Sequence, residues 1–442
     1  MAEQKASAGV AGLYLKVKSL AGKKLFKSFS VYVFSTVFNQ GVSFLLIPFF
    51  THYLLPSEYG TLSLVNTTVS LLTIFIMVGA DGAIRRAFYK LKGDDYSSFF
   101  SSAFFTCIVA FGIISVLTGL FVLFYPGDTG IPMKWLLLSP VIAFTSVLPT
   151  ILLGQFRVKQ QAVSFAVVSN LMTIANLGLA IWFVAGMKMG YDGRLSALLI
   201  VNIFFFVLSY FILRRQRLLG APISKEHCRG SLRYGLPIIP HHLGASIIAF
   251  SDRYFIAGLV DVPEVGIYNV AYMIGSIVGI VESSFSYAFI PFLFESLTDG
   301  SDTAKKKVVR LSYFFLAFLA VCVLGLYLTS GLLYDFFIDE DYHSGRHLVI
   351  WVAIGYFFSG CYKVFSGYIF YSGKTIYLTY LAIINIVVNV GLNYLLIGNM
   401  GSLGAAIATM ISFFVMFCIT AVAANKLQPM PWLAFLRKNI RS

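Results

Sequence analysis

The sequence predicts an all-α integral membrane protein, with twelve transmembrane helices in two pseudo-symmetric six-helix lobes. Three observations lead there. The chain is 58% apolar and only 12% charged, with 43 phenylalanines, against roughly 45–50% and about 25% in a soluble domain. Its lysines and arginines crowd into alternate inter-span segments. Short motifs recur, in order, a little over two hundred residues apart.

The apolar residues fall into twelve runs. Six span roughly 29–50, 61–81, 99–124, 134–153, 163–185 and 195–213. Six more span roughly 234–258, 266–289, 311–333, 347–371, 376–397 and 403–425. Each approximates the ~20 residues that carry a helix across the bilayer core. All are too long for barrel strands, and lipid offers no partner to an unpaired backbone group, so helices are the viable spans.

Taken in order, residues 1–28 form a basic amphipathic segment, with Lys16, Lys18, Lys23, Lys24 and Lys27 among Leu, Val and Phe. No short apolar stretch with a small-residue cleavage site is present, so a surface-lying helix is expected rather than a signal peptide. The N-lobe, 29–213, places Arg85, Arg86, Lys90 and Lys92 after its second span and Arg157 and Lys159 after its fourth. A cytoplasmic linker, 214–233, carries six more basic residues. The C-lobe, 234–425, places Lys305, Lys306, Lys307 and Arg310 after span eight and Lys374 after span ten, and a tail, 426–442, adds four. In all, 27 of the 33 basic residues lie on one side. Four lie on the other (Lys134, Lys188, Arg194, Arg346), and Arg253 and Lys363 fall inside spans. The positive-inside rule puts both termini in the cytoplasm of a multi-pass protein. The net charge of +14 is thus a topology signal, and no nucleic-acid partner is expected.

The halves echo one another. LLPSEYG, residues 54–60, and VDVPEVG, residues 260–266, each occupy the first outer loop of their half, at an offset of 206. Gly193 before span six matches Gly401 before span twelve, and Asn176 in span five matches Asn389 in span eleven, at offsets of 208 and 213. Six spans per half make these parallel repeats, related by an axis along the membrane normal. Glu58 and Glu264 read first as interface-level turn or cap residues and only second as substrate contacts.

LLPSEYGTLSLVNT (54–67) and SDRYFIAGLVDVPEVGIYNVAYMIG (251–275) resemble the polysaccharide transporters of the multidrug/oligosaccharidyl-lipid/polysaccharide (MOP) exporter superfamily. Of these, the Wzx-type O-antigen flippases are the most similar, over essentially the whole chain. The resemblance implies a MATE-like, V-shaped, two-lobed transporter in the bacterial cytoplasmic (inner) membrane. It implies movement of undecaprenyl-pyrophosphate-linked oligosaccharide repeat units, O-antigen or another surface polysaccharide, from inner to outer leaflet. Membrane lipids and the polysaccharide polymerase and glycosyltransferases of the same biosynthesis are the implied partners.

An ionisable residue inside a span is a functional-site candidate by default. Arg253 and Lys363 are expected to form a cationic cavity surface for an anionic headgroup, Arg as a bidentate phosphate ligand and Lys as a point charge. The competing readings are charge balance with Asp252 or an outward snorkel for Arg253, and an interhelical pair with Glu282 for Lys363. Glu282 is a candidate for ion coupling or for that pairing. Asp81, Arg85 and Arg86 sit at the cytoplasmic end of span two, where they could shape an inward mouth: Arg85 and Arg86 join the candidate cationic substrate-binding surface, with ordinary positive-inside anchoring as the competing reading, and Asp81, like Asp252 and His241, is a candidate for ion coupling or pairing. His241 follows Pro237 and Pro240, which are expected to bend or break span seven, and one of His241 and His242 is expected to line the cavity. Tyr287, Tyr362, Tyr368 and Tyr371 are candidates to stack on sugars, or are packing residues.

No catalytic constellation, phosphate-binding loop, metal-ligand spacing or cysteine pairing is legible, so no cofactor or metal is expected and the chain reads as a transporter, not an enzyme. Two alternatives stay open: a MATE-type multidrug/cation antiporter, and a polytopic polysaccharide polymerase or ligase.

Overall fold

The computed structural model describes residues 31–432, apart from 32, 33, 36, 43, 45, 126, 128 and 375. The basic N-terminal segment and most of the C-terminal tail lie outside the described residues.

Among the described residues the regular secondary structure is helical, with short turns between the helices. Residues described between 31 and 44 are helical. They are followed by α1 (Ile47–Tyr53), α2 (Pro56–Met77), α3 (Ala80–Lys90), α4 (Gly93–Phe124), α5 (Met133–Thr145), α6 (Val147–Val158), α7 (Ala162–Ile181) and α8 (Gly190–Arg215). The second half comprises α9 (Lys225–Gly235), α10 (Ile239–Leu259), α11 (Val262–Gly275), α12 (Ile277–Asp299), α13 (Asp302–Phe337), α14 (Leu348–Tyr371), α15 (Ile376–Met400) and α16 (Ser402–Leu427). Among the described residues, ten helices are long and apolar enough to cross a membrane, and they fall on runs 2–6 and 8–12. Helix α10 occupies run seven.

The packing is that of a protein solvated by lipid. On α15, Asn385, Asn389 and Asn393 recur every fourth residue and are at most 1% exposed, while Val387 and Leu395 are 67% and 62% exposed. Polar amides inside and aliphatic side chains outside invert the soluble pattern.

Breaks occur where the sequence demands them. Val78 and Gly79 take φ of 47° and 67°, which ends α2 and redirects the chain into α3. Pro237 lies in a 3-10 turn and Pro240 in the first turn of α10. Proline's missing N–H costs nothing at a helix start but breaks a helix interior, so the expected break of span seven falls at its beginning.

The chain divides into two compact units. Unit 1 comprises residues 1–46, 75–117 and 140–236, and unit 2 comprises 47–74, 118–139 and 237–442. In unit 1 the central segment is tied down rather than slack. Ser98 Oγ donates to the Pro222 carbonyl at 2.8 Å, Ser101 Oγ to that of Leu218 at 3.1 Å, and the Ser224 N–H to Ser102 Oγ at 2.9 Å.

In unit 2 the two echoed motifs meet. A Cβ on Gly60 would overlap the Val262 carbonyl oxygen, and one on Gly266 would overlap that of Pro56. Only glycine permits so close a backbone approach. Both motif glutamates stand at the third position of a helix. Glu58 Oε2 accepts from the Leu55 N–H at 3.1 Å. In the second motif Asp261 caps instead, accepting from the Glu264 N–H at 2.8 Å, and Glu264 Oε1 accepts from the Ser402 hydroxyl. Each motif thus makes one half of a capping box.

Candidate functional site

Asp252 and Arg253 are consecutive on α10, so about 100° separates their side chains, and they enter different surroundings. Asp252 is fully buried. It accepts from Tyr268 Oη at 2.5 Å, from Asn393 Nδ2 at 2.9 Å and from Thr409 Oγ1 at 3.1 Å. Ser251 Oγ donates to Asn389 Oδ1 at 3.1 Å. These bonds knit α10 to α11, α15 and α16. A buried carboxylate satisfied by hydrogen bonds from three neighbouring helices is a fixed strut.

Arg253 is 4% exposed. Its Nε and Nη2 donate to Asn269 Oδ1 at 3.3 and 2.9 Å. Its guanidinium carbon lies 4.6 Å from the Tyr272 ring centre and 5.8 Å from that of Tyr268, within the range in which aromatic faces stabilise a cation. Asn269 and Tyr272 stand three residues apart on α11, so they share a face.

A second cation follows along the same unit. Tyr356 Oη on α14 donates to Tyr272 Oη at 3.0 Å. Two turns on, Lys363 Nζ pairs with Glu282 Oε1 of α12 at 2.8 Å and donates to Ser283 Oγ at 3.1 Å. Ser359 Oγ also donates to Glu282 Oε1, at 3.1 Å. The Glu282 side chain is 1% exposed and that of Lys363 is 35% exposed, so the carboxylate is enclosed while its lysine partner stays accessible. Gly360 makes the room: a Cβ there would stand 3.3 Å from Glu282 Cγ and 2.5 Å from Leu319 Cδ1. Arg253, Tyr272, Tyr356 and the Lys363–Glu282 pair thus form one cationic and aromatic track. Of the two sequence readings of Lys363, the interhelical pair is present.

Arg85 pairs with Asp81 at 2.6 Å, one turn apart on α3, with side chains 46% and 26% exposed. Arg86 sits 5.3 Å over the Tyr234 ring. All three belong to unit 1. The side chains of His241, His242 and Tyr287 lie outside the described residues. Tyr368 is 1% exposed and packs at 6.1 Å edge-on to Trp432, so it has no free face for a sugar. Sequence reading missed Asn269, Tyr272 and Tyr356. The spacing of Asn269, Tyr272 and Ser276, polar residues on one face of an apolar helix, carries the signal. The Tyr272–Tyr356 bond does not announce itself, because 84 residues separate its partners.

The helical architecture and polar interior define a polytopic membrane protein. The chain belongs to the polysaccharide biosynthesis protein family, whose description "Polysaccharide biosynthesis protein" matches residues 25–297. The description "MatE" matches residues 237–395. An "Uncharacterized membrane protein" of Haemophilus influenzae is 25% identical, over 83% of this chain and 89% of that protein. Among solved structures, one is the inward-facing conformation of a multidrug resistance MATE family transporter of the MOP superfamily. It has a TM-score of 0.70 and 16% identity, covering 89% of this chain and 94% of that one. Another is the lipid II flippase MurJ in an inward closed conformation, with a TM-score of 0.72 and 15% identity, covering 90% of this chain and 87% of that one.

Proposed function

We propose that the protein is a flippase for undecaprenyl-pyrophosphate-linked oligosaccharide repeat units, O-antigen or another surface polysaccharide. It moves them from the inner to the outer leaflet of the bacterial cytoplasmic membrane by alternating access. In this reading 29–213 and 234–425 are the two lobes, 214–233 joins them, and both termini are cytoplasmic. Polymerase and glycosyltransferases of the same biosynthesis act on either side of it. The observation that carries the proposal is the Arg253–Tyr272–Tyr356–Lys363 track, buried at its Arg253 end and accessible at Lys363, in a member of a polysaccharide biosynthesis family. The MurJ-like fold supports a lipid-linked cargo.

The chemistry assigned to the track follows from its groups. Arg253 is held by Asn269 and aromatic faces, which fix its fork for bidentate contact with a pyrophosphate oxygen pair. Lys363 is partly accessible, and a diphosphate competes with Glu282 for its ammonium. Tyr272 and Tyr356 present ring faces and hydroxyls to sugar.

The test is reconstitution in proteoliposomes with a fluorescent lipid-linked oligosaccharide and an impermeant quencher. The expected result is accelerated loss of protected signal, reduced at least about tenfold in Arg253→Gln, since a hydrogen bond to a charged group contributes about 1.5–3 kcal/mol. No acceleration over empty vesicles overturns the proposal. The match to "MatE" over 237–395 supports a second reading, a multidrug/cation antiporter. Cation-gradient-driven movement of a cationic dye, without movement of the lipid-linked glycan, would establish that one instead.

A further inference from the structure

Helices α3 and α9 are short, amphipathic and basic, and neither is apolar enough to span. Helix α3 buries Ala80, Ala83, Ile84 and Ala87 and exposes Arg85, Arg86 and Lys90. Helix α9 buries Ser231 and Gly235 and exposes Lys225, Arg229 and Arg233. Glycines lock the two together. A Cβ on Gly79 would come within 2.7 Å of Gly235 Cα, and one on Gly82 within 3.2 Å of the Tyr234 ring. The chain enters α3 through the left-handed pair Val78–Gly79, at the end of an apolar span. Such helices lie where a bilayer's phosphates lie.

Between α3, α9 and the start of α4 is a groove of about 170 Å³. Ala83 and Ala87, on its buried side, are apolar, and Arg86 and Lys90, on its exposed side, are basic. Phe99 and Tyr234 stand half-buried between them. We propose that this groove binds the phosphate of an anionic phospholipid, held by Arg86 and Lys90, with the start of an acyl chain against Phe99.

Charge and lining select the occupant. Two cations disfavour an apolar peptide or a neutral lipid. A mostly apolar lining offers a free phosphate ion no further donors, while it matches the chain that a phospholipid brings with its phosphate. Gly230 lines the groove, and a Cβ there would meet Phe99 at an ordinary 3.6 Å. Larger side chains at 230 therefore fill the groove while every charge is kept.

The experiment uses full-length protein, purified and delipidated in a neutral detergent. Bound lipid is counted by native mass spectrometry during titration with phosphatidylglycerol or phosphatidylcholine. Phosphatidylglycerol is expected to bind and phosphatidylcholine not. With roughly 5-fold per surface cation, Arg86→Gln/Lys90→Gln is expected to weaken binding by about 25-fold. Gly230→Leu is expected to weaken it with the charge intact, with Gly230→Ala as the milder variant should the larger one unfold. Lys306→Gln/Lys307→Gln, on α13, is expected to change nothing. Equal loss in that control, or unaltered binding in both Gly230 variants, would overturn the proposal in favour of diffuse surface attraction. Displacement of phosphatidylglycerol by millimolar inorganic phosphate would overturn it for a free anion. Displacement by substoichiometric undecaprenyl phosphate would overturn it for a site that loads isoprenoid lipid. None of these readouts requires transport.

Discussion

The two cationic regions of this molecule differ in the way that decides what a charge can do. At α3, Arg85 is half exposed and pairs with a carboxylate four residues away on its own helix. In unit 2, Arg253 is 4% exposed and Lys363 reaches across to a carboxylate on another helix. Water screens the first set, and its ion pair contributes about 0.3–0.5 kcal/mol. In the second set Arg253 and the Glu282 carboxylate are desolvated, so their charges persist only because amide, aromatic and ammonium groups are placed around them. Sequence alone gives both sets the same letters. Burial separates the two sets.

The largest effect expected from breaking this contrast comes from Lys363→Met. It leaves the Glu282 carboxylate enclosed without a counter-charge, at a cost of about 3 kcal/mol, read as a fall of several degrees in Tm in detergent. Lys363→Met/Glu282→Leu removes both charges and is expected to recover most of that Tm without recovering flipping. Recovery of transport in the double variant would make the pair a strut only. Arg253→Lys comes next. It keeps the charge but loses the fork that spans Asn269, so about tenfold lower flipping is expected with a small change in Tm. Tyr356→Phe removes one hydroxyl bond and keeps the ring. A loss of about 1 kcal/mol in unfolding free energy is expected, measured against the wild type under the same detergent conditions. The smallest effect belongs to Arg85→Gln, within about 0.5 kcal/mol in stability and without effect on flipping. A transport loss there as large as in Arg253→Lys would erase the distinction between the two regions.

What was legible in the sequence follows from how strictly lipid acts as a solvent. Helix existence, order and approximate ends could be read because an uncharged run of about 20 residues has one stable form in a bilayer. The Lys363–Glu282 pair was legible as one of two readings, because a membrane-embedded cation requires either a ligand or a partner. Helix α9 was not. The segment KEHCRGSLRYG has too little apolar surface to signal a helix, and it forms one because serines of α4 and Tyr234 against Gly82 hold it in place. The strut around Asp252 was hidden for a related reason. Asn389, Asn393 and Thr409 are small polar residues dispersed through apolar spans, and only the tertiary fold gathers them around one carboxylate.

The meeting of Gly60 with Val262 and of Gly266 with Pro56 has a two-fold symmetry in its numbering. Residue 56 stands to 262 as 60 stands to 266, so the contact maps onto itself when the two halves are exchanged. That self-reciprocal geometry is what a two-fold homodimer makes at its axis. A half-length ancestor carrying this motif once could have closed the same contact with a second copy of itself. With both copies in one chain the contact closes within it, and the two motifs differ around it: Glu58 accepts from the Leu55 N–H, while Glu264 accepts from the Ser402 hydroxyl.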